Sequence, residues 1–454
     1  MRNYKQQFKG KKITVMGLGI LGRGLGYTKF LAECGVDLIV TDLKTREQLA
    51  TSVKALENFK NIKFVLGEHR LEDFKGRDMV VKAAGVPLDS IYINEAKKNG
   101  IPVEMDVSLF AKCAPKVMII GVTGTRGKSM TTTLIYEILK NNEKFLKRNV
   151  YPGGNLRGVA TLPLLKKVKD GDILVCELDS WQLQGFGDAK LSPSISVFTT
   201  FMPDHMNYYK DSMEKYFSDK ANIFKYQKKN GVLVVLPALK KLLPKDIKSK
   251  IIVANRKELA GWKFIVPGDY QRDNLSCAVN VARVVGVPEV KIKKAISDFK
   301  GLEGRMQLLR IYKGIKIYND NNATTPEATI AGLEALSMQG HTLHARPCLA
   351  QGNTILICGG ATKNLSLDNF VKAVNKYTKA VVMIPGTGTN QLIEKNLKVK
   401  NEIGKDLRDI VKKALKEAKK GDTILFSPAF ASFGMFNNEY ERNDLFMKII
   451  KGLK

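Results

Sequence analysis

The chain has 454 residues, more than one ordinary core holds, so two to four domains are expected. With 44% hydrophobic and 26% charged residues it reads as a folded globular protein, not a disordered or fibrous one, and no segment nears the roughly 18 apolar residues a membrane span needs. The net charge of +30 comes from lysines in short runs along the whole chain, such as Lys166-Lys167, Lys228-Lys229 and Lys419-Lys420; no basic stripe interleaves with aromatics, which argues against a nucleic-acid surface.

Met1 to Lys12 is polar and basic and runs straight into "ITVMGLGILG", a strand and turn rather than a signal peptide, so a cytoplasmic location is expected. The first block, 1–114, alternates strand and helix signals: "KITVMGLG", the helix "LGYTKFLAEC", then "VDLIVTD", "MVVKAAG" and "IPVEM". The second, 115–302, opens with "KVMIIGVTG", followed by a helix with Met130, Leu134, Ile135, Ile138 and Leu139 on one face. "DILVCEL" and "SISVFTT" read as buried strands, with "GVLVVL" and "KIIVA" beyond them, and "DNLSCAVNVARVVG" as a helix with Asn274 near its start. The third, 303–454, carries the strands "IKIYNDN", "TILICGG", "AVVMIPG" and "DTILFSPA". Such alternation predicts three α/β domains with mostly parallel sheets: a Rossmann-like one, a central P-loop one and a second Rossmann-like one. Ligands are then expected at the carboxyl ends of the strands. The six cysteines, Cys34, Cys113, Cys176, Cys277, Cys348 and Cys358, form no CxxC pair and read as buried reduced thiols; only four histidines exist, His69, His205, His341 and His344.

"GVTGTRGKS", residues 121–129, follows a strand and opens a helix, as a phosphate-binding loop must. Gly121, Gly124 and Gly127 let backbone N–H groups close around phosphate oxygens, with Thr123, Thr125 and Arg126 between them; Lys128 would reach the terminal phosphates and Ser129 could ligate Mg²⁺. Val122 stands where the generic GxxxxGK[ST] pattern has its first glycine. Glu177 ends a strand about 50 residues on, where a carboxylate can serve Mg²⁺. Asp204 and His205 end another strand. Lys220 lies among apolar neighbours, and its amine can take up CO₂ to become a carbamate, a carboxylate-like metal ligand. "GLGILG", 17–22, with Asp42 ending the next strand, fits a dinucleotide fingerprint but suits any diphosphate. "CGGATKN" and "LFSPAFASFGMF" put Lys363 and Ser432 where an anionic co-substrate can be held.

Together, in order and over nearly the whole chain, these residues resemble the Mur ligases, with "GGATK" and "SPAFASF" pointing to the members that add D-glutamate. The resemblance implies a cytoplasmic, ATP-dependent ligase that joins D-glutamate to UDP-N-acetylmuramoyl-L-alanine, with no nucleic-acid or membrane partner, acting as a monomer. It implies that Lys128 contacts the γ-phosphate, that Ser129 and Glu177 hold one Mg²⁺, and that His205 and a carbamylated Lys220 serve a second. Asn155 would touch the muramoyl substrate, Asn274 and Arg305 the ATP, and Asp320 its ribose. Thr324, Lys363 and Ser432 would hold D-glutamate, and Gly17, Gly19 and Asp42 the UDP end. The chain departs from the family pattern at Leu21, Arg126, Met130, Asp179, Asn322, Thr325, Gly434 and Asn443, with Asp179 expected near the muramoyl site. The alternatives are a ligase of the same chemistry with another amino acid or acceptor, a nicotinamide-dependent oxidoreductase built on Gly17 to Asp42, and a nucleic-acid-dependent ATPase suggested by the charge.

Overall fold

The computed structural model describes residues 4–114, 116–339 and 352–453; His341, His344 and Cys348 lie outside the described residues. The strands are β1 (Lys12–Met16), β2 (Asp37–Asp42), β3 (Ile62–Leu66), β4 (Met79–Lys82), β5 (Val103–Glu104), β6 (Met118–Thr123), β7 (Val150–Gly154), β8 (Ile173–Glu177) and β9 (Ile195–Phe198). They continue as β10 (Val232–Val235), β11 (Lys250–Val253), β12 (Gln307–Tyr312), β13 (Ile315–Asn319), β14 (Thr354–Gly359), β15 (Thr378–Ile384), β16 (Lys400–Ile403) and β17 (Thr423–Phe426).

Three sheets result, ordered β3-β2-β1-β4-β5, β11-β10-β9-β6-β8-β7 and β12-β13-β17-β14-β15-β16. The first two are wholly parallel; in the third only β12 runs antiparallel, against β13. Parallel strands are covered on both faces, which is why β1, β8, β9, β14 and β17 read as almost unbroken apolar runs.

By its contacts the chain divides into two compact units, Met1–Ala260 with Asp273–Ala295, and Gly261–Arg272 with Ile296–Lys454. The first unit contains the first two sheets, joined by one apolar cluster in which Val107 and Phe110 belong with Leu183 and Phe186. A buried carboxylate adds a polar tie: Asp106 accepts from the backbone N–H groups of Thr161 and Leu162, both at 2.7 Å. The second unit has its own core around Ile317, Ile357, Val382, Phe426 and Phe446.

The structure adds strands that the sequence reading did not separate. β7 contains Pro152, and β12 and β16 are sheet edges with partly exposed faces, so none shows a clean apolar run. The helix carrying Asn274 starts earlier than its apolar pattern suggests, at Asp269 directly after Gly268, so Asn274 sits in its second turn. Cys34, Cys176, Cys277 and Cys358 are buried free thiols and Cys113 is half-buried.

Candidate functional site

The site in the first unit is built at the carboxyl ends of β6, β8 and β9. β6 ends at Thr123, and the loop 124–127 leads into the helix Lys128–Lys140. Two glycines are required. Gly124 has φ +148°, and a Cβ there would lie 2.0 Å from Thr199 Oγ1; Gly127, at φ +88°, would put a Cβ 2.4 Å from Asn274 Oδ1. The loop is pinned to the end of β9. Thr125 donates its N–H to Thr200 O (2.7 Å), Arg126 donates its N–H to Thr200 Oγ1 (2.8 Å), and the Thr199 hydroxyl donates to Thr123 O (3.1 Å). Asn274 accepts from Thr131 of the helix at 3.3 Å, which holds it against Gly127 of the loop. The apolar face Met130, Leu134, Ile135, Ile138 and Leu139 is buried, which fixes the helix and aims its first-turn N–H groups at the loop.

Two lysines converge on one oxygen of this loop. Lys128 Nζ donates to Gly124 O at 2.9 Å and to Thr125 O at 3.2 Å; Lys220 Nζ donates to the same Gly124 O at 3.0 Å. Lys220 is 1% exposed and lies 4.8 Å from the centre of the Tyr216 ring. Burial, with the neighbouring Lys128 charge, pushes the Lys220 amine down to about 7. A substantial neutral fraction is therefore available near neutrality, which a lysine must have to react with CO₂.

His205 adopts φ +57°, a strained backbone for a non-glycine residue. Its ring lies 4.8 Å from that of Trp181, and Asp204 Oδ2 is 3.8 Å from its Nε2. Burial lowers the imidazole pKa, so the ring is mainly neutral at pH 7 and keeps a nitrogen lone pair. Asp204 also faces Arg126, at 3.4 Å. Glu177, 5% exposed, ends β8 in register with Val122 of β6 and Gly154 of β7. Its carbonyl accepts from Asn155 N–H at 2.7 Å. Among the described residues no three His, Cys, Asp or Glu side chains cluster as a metal cage. Mg²⁺ bound chiefly by phosphates and water needs only one or two protein oxygens; Glu177, buried at the end of β8, and Ser129, in the first turn of the helix, are the residues here that could offer them.

A cleft of about 390 Å³ is lined by Gly17, Gly19, Arg23, Lys82, Asn155 and Asp179, among others. It brings together the glycine turn of the first sheet and Asn155 of the second. Asp42 shapes the turn: its carboxylate accepts from Gly19 N–H at 2.8 Å and Lys44 N–H at 2.9 Å. Asp179 caps the helix Ser180–Asp188, accepting from Gln182 N–H at 2.7 Å, while the Gln182 side chain reaches back to Asp179 N–H. Two cleft cations were not singled out from the sequence. Arg23 donates to Asn155 Oδ1 at 2.7 Å. Lys82, 2% exposed at the end of β4, donates to Val86 O at 2.8 Å, and burial pushes its amine down to about 8.

In the second unit, Lys363 Nζ donates to Thr324 Oγ1 at 2.9 Å. The loop carrying Lys363 pairs with that carrying Ser432 through a two-way bridge, Ala361 N–H to Ala431 O and Ala431 N–H to Ala361 O, both 3.0 Å. Thr324, Lys363 and Ser432 thus share one end of the third sheet. Asp320 is buried there, accepting from Met306 N–H at 3.1 Å and from the Ser427 hydroxyl at 2.9 Å; burial pushes its carboxyl up to about 7. Arg305 lies in the tight turn Leu302–Arg305 that precedes Met306.

Three family models match this chain: the Mur ligase MurD-like N-terminal domain at 11–104, the Mur ligase middle domain at 122–282 and the Mur ligase glutamate ligase domain at 304–430. UDP-N-acetylmuramoylalanine–D-glutamate ligase of Roseiflexus sp. is 32% identical over 98% of this chain and 99% of its own length. That of Borreliella afzelii is 32% identical over 98% of both chains, and that of Clostridioides difficile 30% over 98% and 99%. The chain belongs to the Mur ligase family, in its UDP-N-acetylmuramoylalanine–D-glutamate ligase group. Solved Mur ligases share the fold. UDP-N-acetylmuramate-alanine ligase MurC of Thermotoga maritima superposes with TM-score 0.61 at 18% identity, covering 98% of this chain and all of its own. MurF ligase of the same organism, in complex with ADP, gives 0.58 at 18% identity, covering 99% of each. The GxGxxG turn of this Mur ligase is thus part of a ligase cleft, which removes the oxidoreductase reading.

Proposed function

We propose that this Mur ligase joins the amine of D-glutamate to the carboxyl of UDP-N-acetylmuramoyl-L-alanine, with conversion of ATP to ADP and phosphate. The observation that carries the reading is the convergence of Lys128 and Lys220 on the Gly124 carbonyl of the loop, with Asn155 bonded to Glu177, the register partner of Val122 just before that loop.

A carboxylate is a poor electrophile, so the reaction first moves the γ-phosphoryl group onto the substrate carboxylate, giving an acyl phosphate and ADP. The loop N–H groups, the start of the helix Lys128–Lys140 and Lys128 hold the phosphates and offset charge that builds on the transferring group. Glu177 with Ser129, and His205 with a carbamylated Lys220, would hold Mg²⁺, which supplies charge neutralisation and in-line orientation of the phosphoryl group when bound. The neutral His205 suits that task, since an imidazolium cannot ligate a cation. The amine of the incoming amino acid then attacks the acyl carbon, and the tetrahedral intermediate expels phosphate. Thr324, Lys363 and Ser432 would grip the carboxylates of D-glutamate so that its amine is free to attack. Asn274 and Arg305 would contact ATP, and Asp320 its ribose. In the cleft, Gly17 and Gly19 would approach the diphosphate, with Asp42 setting the turn and Asn155 and Asp179 near the muramoyl end. With this reading go three domains, 1–114, 115–302 and 303–454, each of which would carry one sheet. The reading carries a monomeric, cytoplasmic enzyme with it; among the described residues no helix is long and apolar enough to cross a membrane.

The test is phosphate release with ATP, Mg²⁺, UDP-N-acetylmuramoyl-L-alanine and D-glutamate, against the same mixture with L-glutamate and a panel of other amino acids. D-Glutamate alone should support turnover; a faster rate with another amino acid would transfer the same chemistry to that substrate. Lys128→Ala should lower kcat by about a hundredfold or more, as loss of a phosphate-neutralising cation does. Unchanged product formation by Lys128→Ala would remove the proposed role of the loop.

A further inference from the structure

Arg442 is the largest fully buried side chain among the described residues, at 0% exposure, and no carboxylate there pairs with it. An unpaired buried charge is strongly unfavourable unless other groups solvate it. Here the solvating groups are oxygens of the site's own loops. From the first turn of the helix Glu439–Lys451, Nε donates to Asn321 Oδ1 at 2.8 Å and Nη2 to Asn321 O at 3.1 Å. Nη1 donates to Phe430 O at 3.4 Å. Asn321 stands three residues before Thr324, and Phe430 two before Ser432. One guanidinium therefore joins the turn after β13 to the loop after β17, and the Ala361–Ala431 bridge extends the tie to the loop of Lys363.

The surrounding amides lock the same turn. Asn321 donates its N–H to Asn319 Oδ1 at 3.0 Å and its side-chain amide to Glu439 O at 3.0 Å. Asn319 donates to Asn443 Oδ1 at 2.8 Å, and Asn443 to Glu303 Oε1 at 2.6 Å. Each neutral amide is used both as donor and as acceptor, so the turn has a single hydrogen-bonded arrangement. The positive charge in the middle of this network has no ion-pair partner among the described residues; the Glu439 carboxylate acts on it only at longer range, and in a poorly solvated interior the remaining field falls off slowly. It favours an anionic ligand between the loops it holds.

We propose that Arg442 is the positioning residue of the amino-acid site, setting the spacing of Thr324 and Ser432 and biasing the site toward an amino acid with a second carboxylate. The inference rests on the reading of that site given above. A planar fork with five donors can satisfy three acceptors on two loops; a lysine ammonium on a shorter reach cannot do so in the same geometry.

The full-length enzyme is assayed with Arg442→Met, Arg442→Lys and Asn321→Ala, measuring KM for D-glutamate and for UDP-N-acetylmuramoyl-L-alanine, with Tm as a check on folding. Arg442→Met should raise the D-glutamate KM tenfold or more and leave the KM of the UDP-linked substrate within twofold; Arg442→Lys should fall between. Asn321→Ala keeps the charge while removing the Nε acceptor, and serves if Arg442→Met does not fold; it should raise the D-glutamate KM several-fold. A D-glutamate KM within twofold of the parent in the folded variants overturns the proposal. So does an equal rise of both KM values in step with a fall in Tm, which is what a purely structural arginine gives. If the parent enzyme shows no D-glutamate-dependent phosphate release, the site reading fails instead, and the same comparison is made with the amino acid that does support turnover.

Discussion

Asp320 is held as a buried carboxyl by Met306 N–H and the Ser427 hydroxyl, yet it titrates near 7 because burial outweighs those bonds. The consequence for stability has a definite sign. The folded state holds the proton between about pH 4, where an ordinary carboxyl ionises, and about pH 7, while the unfolded chain has released it. The unfolded state thus binds fewer protons across that window, and stability falls as pH rises through it. Asp320→Asn removes the titration but keeps an acceptor for Met306 and a polar partner for Ser427. The variant should match the parent near pH 4.5 and exceed it by about 2–4 kcal/mol near pH 7.5. Denaturant unfolding at both pH values reads the difference; a variant penalty that is constant with pH would show that the Asp320 carboxyl is ionised in the fold.

At the level of elements, the loop 124–127 is the part whose geometry is least forgiving. Gly127→Ala meets two obstacles: about 1–2 kcal/mol for a Cβ at positive φ, and a contact at 2.4 Å with Asn274 Oδ1. Gly10→Ala is the matched control, with φ +74° and nothing within 4 Å of a new Cβ. Both should lose similar backbone stability, but only Gly127→Ala should raise the ATP KM or lower kcat, by about tenfold or more, since a displaced loop misaligns the phosphates. Equal kinetics for the two variants would dissociate the loop from ATP. This element was legible in the sequence because ordinary turns rarely set glycines, a lysine and a serine between an apolar strand and an amphipathic helix. Glu177 and His205 were legible only as strand-end residues, and it is the loop's presence in the same domain that makes them candidates. Arg23 and Lys82 were not legible: a lone arginine in a helix start and a lysine ending a strand read as solvated, yet the fold brings both into one cleft, Lys82 buried and Arg23 half-buried. Asp179 carried a visible signal, an Asp followed three residues later by Gln, which is a capping box, and it also lines the cleft. The edge strands β12 and β16 escaped because exposed faces erase the apolar run on which strand recognition depends.

On the scale of the molecule, the chain crosses between its two units three times, after residues 260, 272 and 295, so the first unit completes its fold only with a segment that follows part of the second. Each unit has its own apolar core, and the proposed substrates divide between them: the UDP-linked acceptor in the cleft of the first, the amino acid at the strand ends of the second. Ligand linkage turns that division into a calorimetric signature. A ligand at a hundred times its Kd stabilises the folded unit that binds it by about 2.7 kcal/mol. UDP-N-acetylmuramoyl-L-alanine without nucleotide should therefore raise the transition of the first unit by several degrees and leave that of the second in place. D-Glutamate alone should do the reverse, and Arg442→Met, binding it about tenfold more weakly, should cut its shift to about half at the same concentration without touching that of the acceptor. The transitions are assigned by which one moves with Asp106→Ala, since Asp106 ties segments within the first unit only. One transition that shifts as a whole with either ligand would mean that the units unfold together, and the division of substrates between two independently stable bodies would fall.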